Sequence, residues 1–496
     1  MTVTPAPAGT PVLDGGELIS TSPATGAEVG RFPVAGEAEV AAAVAAARDS
    51  AIWWRGLGYA GRRARLGAWR AMIATRSAEL CELINHETGK PAADAQIEVL
   101  TTVEHLSWSA RRAKKVLGPR RVPAGMIMPN QAATLEYEPL GVVGVIGPWN
   151  YPVLTPMGSI AYALAAGNAV VFKPSEYSPA VGQWLADRFA EAVPGPAVLQ
   201  AVHGMGETGA ALCRSGVGKI SFTGSTRTGK QVMAACAETL TPVLMECGGK
   251  DVLIVDADAD LTAAADAALW GGMANAGQTC VGVERVYALA PVYDKFVEVL
   301  TARAAQLTPE QVGVTTMPSQ LDVIRRHIAD ALDRGGRAVF GGLESVRAPH
   351  ADPVILVDVP EDAAAVQEET FGPTLTVAKV RDLDEAVHLA NGTPYGLGAT
   401  VFSKSRGMEI ARRLRSGMVA INGIVSFAGV AALPFGGVGD SGFGRIHGDD
   451  GLREFSRAKS IARARFAPLV PILSFDRTAK TDALLGKLIR LRYGRK

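Results

Sequence analysis

Two hydrophobic rhythms divide this chain. From Glu37 to Asp49 the sequence is rich in Ala and Val at helical spacing, and helical patterns return over Ala60–His86 and Ala93–Val116. From Gly141 short apolar runs alternate with helical stretches. GVVGVIG (141–147) reads as a buried strand, followed by an apolar helix to Ala166. NAVVFKP (168–174) is the next strand and precedes a helix from Ser178 to Ala192, and AVLQAV (197–202) and KISFTG (219–224) continue the series. A second series begins near Gly248, with strands DVLIVD (251–256), ERVYALA (284–290), TLTVAKV (374–380) and ATVFSK (399–404). Strands alternating with helices at this spacing predict mostly parallel sheets covered on both faces, and two series predict two α/β domains. QAATLEYEPL (131–140) alternates like an exposed strand with few contacts of its own, so something else must cover it, and SIARARF (460–466) has the same character. There is no internal repeat.

Size and charge narrow the function classes. At 496 residues the chain exceeds one hydrophobic core. A net charge of +1 gives no electrostatic reason for a nucleic-acid partner. The five cysteines, Cys81, Cys213, Cys236, Cys247 and Cys280, form no CxxC pair, which argues against a disulfide framework or zinc site and fits the reducing cytoplasm. The first residues lack the basic and apolar regions of a signal peptide, and no apolar stretch reaches the ~20 residues of a membrane span.

Chemistry concentrates after strand ends. GPWNYP (147–152) stiffens a loop with two prolines around Asn150, whose amide can donate to a developing oxyanion. VVFKPSE (170–176) sets Lys173 and Glu176 past the next strand, where such sheets hold nucleotides. FTGSTRTGK (222–230) opens a helix with Gly224, Ser225 and Thr226, a phosphate site or simply an N-cap. MECGGKD (245–251) carries Glu246 at a strand end, NAGQTC (275–280) carries Cys280, and EETFGP (368–373) and PFGGVGDSGFGR (434–445) follow. Taken singly, each has an ordinary structural explanation. GMGETG (204–209) and GVGDSG (437–442) match GxGxxG without the acidic partner or following helix a dinucleotide fingerprint needs, and read as turns. GDSG (439–442) resembles a hydrolase elbow, but the seven histidines select no triad.

In this order the motifs look like the aldehyde dehydrogenase superfamily, from about residue 20 to 465, the most specific feature being Cys280 standing 34 residues beyond Glu246 of MECGGKD. The resemblance implies an α/β fold of two Rossmann-like parallel-sheet domains and a small β oligomerisation flap. Residues 1–120 and 141–246 would bind NAD, 247–455 would be catalytic, and 121–140 with 456–466 would form the flap, the lone strand being covered by a partner subunit in a homodimer or homotetramer. Cys280 matches the nucleophile, Glu246 the general base and Asn150 the oxyanion donor, with Cys247 replacing the usual Leu. Trp149, Lys173, Glu176, Gly224, Ser225, Glu369 and Phe371 match cofactor contacts. Tyr151, Thr155, Gly158, Phe427 and Phe435 match the substrate tunnel, and no metal is implied.

The implied reaction is oxidation of an aldehyde to an acid through a thiohemiacetal and thioester on Cys280, with NAD preferred over NADP because Glu176 would repel a 2′-phosphate. The neutral tunnel set suits an uncharged aldehyde. The C-terminal stretch looks closer to a branch containing succinate-semialdehyde dehydrogenases, and a CoA-acylating enzyme and a catalytically silent homologue are the rival readings. In the basic tail, 467–496, a helical stripe of Leu484, Leu485, Leu488 and Ile489 is flanked by Lys and Arg. It is expected to pack on its own protein or stay solvated rather than rest on a membrane.

Overall fold

The computed structural model describes residues 7–468, 470 and 472–494. Its first large sheet has six strands in the order Gly442–Phe443, Val243–Glu246, Lys219–Thr223, Val142–Ile146, Ala169–Lys173, Leu199–Ala201. All neighbours run parallel except Gly442–Phe443. The second has seven strands, ordered Arg337–Phe340, Val354–Val357, Thr374–Val380, Val283–Leu289, Asp251–Val255, Gly398–Phe402, Met418–Ile421, with only the first antiparallel. Val142–Ile146, Ala169–Lys173 and Asp251–Val255 are buried at every residue, which is why their sequences run apolar instead of alternating.

Three differences from the sequence expectation have local causes. The pattern over 60–86 becomes two helices, Gly58–Thr75 and Ser77–Thr88, because Arg76 leaves the helical region at φ −105°, ψ 22°. The break lets Trp69 and Ile73 on one side and Leu80 and Ile84 on the other all reach the core. The Pro/Gly-rich start forms a three-stranded antiparallel sheet, Val12–Asp14, Glu17–Thr21 and Glu28–Pro33, whose outer strands are exposed or half-buried and whose buried middle strand is too short to leave an apolar rhythm. Residues 442–455, expected with the second unit, join the first: Gly442–Phe443 extends its sheet, and Ile446, Leu452 and Phe455 lie in its core.

The strand Gln131–Pro139 is hydrogen-bonded along both edges within its own chain, and its residues stay half-buried. Ser456–Ala464 pairs with it over its full length and Arg120–Val122 pairs on the other side. Asn168 anchors this flap to the first sheet: its side-chain oxygen accepts from the N–H of Leu140 and Gly141, and its amide donates to the carbonyls of Ala163 and Phe455. The outer strand, Ser456–Ala464, is exposed along nearly its whole length.

Buried glutamates start two of the helices that follow strands. Both oxygens of Glu87 accept from the first turn of Pro179–Ala192, at 2.8 Å each from Ala180 and Val181, and burial pushes its carboxyl up to about 7. Glu98, in the helix Ala92–Leu117, accepts from Val153 at 2.8 Å and Leu154 at 2.9 Å with one oxygen and from the fully buried Lys90 with the other. Among the described residues no other acidic group forms an ion pair with Lys90. Glu98→Ala would strand a buried ammonium and two N–H groups, and is expected to lower unfolding stability by about 3–5 kcal/mol in chemical denaturation. An unchanged midpoint would mean that the pair carries no such constraint.

Candidate active site

The loop 147–153 leaves the carboxyl end of Val142–Ile146, where the strand order reverses: the chain adds Ala169–Lys173 on one side and later Lys219–Thr223 on the other, both parallel. Open parallel sheets bind ligands at this reversal. A second loop reaches the same place from the other sheet. After the helix Leu261–Met273, Asn275, Ala276 and Gly277 take three consecutive left-handed conformations, at φ 53°, 54° and 69°. Such conformations cost about 1–3 kcal/mol for each non-glycine residue and persist only when surrounding contacts hold them. At Gly277 a Cβ would lie 2.2 Å from the backbone of Gly372, so no side chain fits.

Hydrogen bonds tie the two loops together. The Asn275 amide donates to the Asn150 carbonyl at 3.0 Å, while the buried Asn150 amide donates to the Gln278 carbonyl at 2.9 Å. The amide nitrogen carries two hydrogens, so Asn150 keeps one for another acceptor. The Asn275 N–H donates to Asp94 at 3.0 Å, and Gln278 is held by Val314 and Thr316. Tyr151 closes the frame: its hydroxyl meets Thr279 Oγ1 at 2.9 Å and the Lys90 ammonium lies 3.7 Å from its ring centre. Lys90, Asp94 and Glu98 thus fix the polypeptide on both sides of the site. Sequence reasoning missed them, although their helix was expected, because only the tertiary fold shows what its buried polar face meets.

Cys280 is half-buried; the other four cysteines are buried. It packs with Val281, Leu397, Phe427 and Phe435. Burial pushes its thiol well above the usual range, and Glu369, Asp251 and Glu246 push it the same way. Glu246, 3% exposed, has no hydrogen-bond partner for either oxygen. Burial holds its carboxyl well above the ordinary value, with Arg445 partly opposing. It is buried close enough to the sulfur to act on it, not a surface carboxylate in a turn.

The expected cofactor residues line the sheet end. Lys173, buried, donates to the Pro174 carbonyl at 3.0 Å and lies 3.4 Å from Glu176. Ser225 caps the helix Thr226–Ala237 by accepting from Thr228 at 3.2 Å, and Gly224 precedes it. Trp149 meets Phe371 edge-to-face at 5.5 Å. Phe371, at φ 51°, and Thr370 donate their N–H groups to Glu284. Glu369 accepts from the Gly249 N–H at 2.8 Å, and burial pushes its carboxyl up to about 8. A helix start, a lysine–carboxylate pair and an aromatic pair fit a dinucleotide's phosphate, ribose and ring.

On the opposite side Phe427 and Phe435 face each other at 6.4 Å, and Phe435 packs edge-on to His447 at 5.6 Å. His447 roofs Gly158: a Cβ there would come within 2.8 Å of its Nε2. Thr155 lies in the first turn of the same helix, Leu154–Ala166. His447 is buried with neither ring nitrogen partnered and stacks 3.7 Å from His105. Sequence reasoning passed over it as one of seven scattered histidines. Arg285 and Arg445 are both engaged by backbone carbonyls, Arg285 by those of Lys250, Leu389 and Ala390 and Arg445 by those of Gly437 and Gly444. Among the described residues no acidic, cysteine and histidine side chains gather as a metal site.

The family model for the aldehyde dehydrogenase family matches residues 14–461. The chain is 37% identical to a 4,4'-diapolycopene aldehyde oxidase of Methylomonas sp, covering 88% of this chain and 84% of that protein. It is 35% identical to a glutarate-semialdehyde dehydrogenase of Pseudomonas putida, covering 90% and 94%. Among solved structures it resembles PnpE of Pseudomonas sp. WBC-3 in complex with nicotinamide adenine dinucleotide, at TM-score 0.87 and 32% identity, covering 92% and 96%. The chain belongs to the aldehyde dehydrogenase family and is an oxidoreductase of the aldehyde group.

Proposed function

We propose that this enzyme oxidises an uncharged, largely apolar aldehyde to its carboxylic acid through a thioester on Cys280, with NAD as the preferred acceptor. The observation that carries the mechanism is the mutual tether of Asn150 and the 275–278 loop, which holds an amide donor beside the nucleophile. The Cys280 thiolate attacks the aldehyde carbon, and the free hydrogen of the Asn150 amide stabilises the resulting alkoxide. A bound nicotinamide cofactor would supply the hydride acceptor, held by the residues at the sheet end. Glu246 then takes a proton from water, whose oxygen attacks the thioester carbonyl and releases the acid and the thiol. A base with this role favours hydrolysis over transfer to CoA. Lys173 and Glu176 take the adenosine ribose, Ser225 and Gly224 the pyrophosphate, and Trp149, Glu369 and Phe371 the nicotinamide end.

The tunnel wall of Tyr151, Thr155, Gly158, Phe427 and Phe435 supports the substrate class. Of the two nearby arginines, Arg285 is bonded to backbone carbonyls through all three of its nitrogens and Arg445 through Nη1, and the similarity to an oxidase of a diapolycopene aldehyde points to an apolar substrate. Unpaired cysteines suit the cytoplasm, and the exposed edge of Ser456–Ala464 suits pairing between copies.

With saturating NAD, hydrophobic aldehydes are expected to give higher kcat/KM than succinate or glutarate semialdehyde, and Cys280→Ala to abolish NADH formation. A preference for the semialdehydes would overturn the substrate reading, and turnover by Cys280→Ala would overturn the mechanism. Glu176 sets the cofactor expectation: kcat/KM is to be higher with NAD than with NADP, and the reverse order would contradict its role.

The raised thiol gives a pH test. In the free enzyme the thiolate is the minor form at neutral pH, so iodoacetamide should alkylate Cys280 slowly there. The rate should climb about tenfold per pH unit and still be rising above about pH 9. A plateau below about pH 8 would contradict the burial argument.

A further inference from the structure

The helix Ala479–Tyr493 lies beyond the span of the family match, which ends at 461, and only Thr481 in it is buried. Its large apolar side chains face outward: Leu488 is 49% exposed, Ile489 62%, Leu491 62% and Tyr493 66%. A tail that packed on its own protein would have covered these residues. Leu484, Leu488 and Leu491 follow one face at spacings of four and three residues. The helix end rests beside a second exposed apolar point, since Arg492 Nη1 lies 3.6 Å from Met126 Sδ and Met126 and Ile127 are 63% and 66% exposed. Two exposed segments distant in sequence therefore meet at Arg492 and Met126.

Charge identifies what this surface fits. Residues 472–496 contain seven basic and two acidic residues, although the whole chain carries a net charge of only +1. Lys487, Arg490 and Arg492 interleave with the leucines instead of keeping to an opposite face. A dry protein groove would have to desolvate those charges. A lipid headgroup layer does not, because long basic side chains reach outward to phosphates while their stems and the neighbouring leucines enter the acyl boundary. No helix among the described residues is long and apolar enough to cross a membrane, so the contact is peripheral.

We propose that this helix, together with Met126 and Ile127, docks the enzyme on an anionic lipid bilayer. The interaction combines apolar insertion with electrostatic attraction, the two contributions that reversible surface binding requires. It does not depend on which aldehyde the active site takes.

Sedimentation of the full-length protein with vesicles tests this directly. Binding is expected to vesicles of phosphatidylcholine containing phosphatidylglycerol, with little to phosphatidylcholine alone, and should weaken as salt is raised. The Leu488→Glu, Ile489→Glu double variant and the Lys487→Glu, Arg490→Glu double variant should each reduce partitioning about tenfold or more. Both should retain wild-type kcat/KM on a short soluble aldehyde, which shows that the fold and the active site are intact. Absence of wild-type binding to anionic vesicles, or equal binding by the variants, would overturn the proposal. So would a double variant that merely splits a larger oligomer while wild-type protein ignores vesicles, since a second copy would then be the occupant.

Discussion

A single helix of the first unit, Ala92–Leu117, holds together two loops that arise from different sheets. Glu98 accepts the N–H groups that open the helix after the Asn150 loop, and Asp94 accepts the N–H of Asn275, in the strained turn before Cys280. Lys90, in the segment that leads into the helix, lies against Tyr151. Buried charges of this kind contribute little net stability when paired and cost several kcal/mol when broken, so their strength lies in geometric definition. The left-handed turn at 275–277 exists because these contacts outweigh its strain. Without this anchor, the Asn150 and Cys280 loops would be held chiefly by each other and by the bonds of Gln278 to Val314 and Thr316.

The same burial sets the electrostatic character of the site. Glu246, Asp251, Glu369 and Cys280 all bind protons more tightly than they would in water, chiefly because little water reaches them. In the proposed mechanism a bound nicotinamide would add positive charge here, which the apolar wall of Phe427 and Phe435 would leave little screened.

Much of this was readable from residues alone. The apolar runs at 142–146 and 251–255 announced buried parallel strands because both faces are covered, and Asn150, Glu246 and Cys280 stood at strand or loop ends in a recognisable order. The structure brings Asn150 and Cys280 into one hydrogen-bonded frame and sets Glu246 close enough for its charge to act on the sulfur. What the sequence did not disclose is relational. Glu98 in a helical stretch looks like any surface glutamate until Val153 and Leu154 are found against it. His447 gains meaning only because Gly158, far away in the chain, leaves room beneath its ring. The strand at 131–139 was joined to 456–464 only through the family resemblance, because its mate lies more than 300 residues later and pairing over that separation leaves no local pattern.

The central claim is that one sulfur carries the substrate while one carboxylate frees it. Glu246→Gln should keep attack and hydride transfer while crippling hydrolysis. Mixing that variant with NAD and an aldehyde, quenching in acid within the first turnovers and mapping peptides by mass spectrometry tests the claim most directly. The account expects an acyl group on Cys280 and on no other cysteine. An unmodified Cys280 alongside a burst of NADH, or acylation elsewhere, would contradict it.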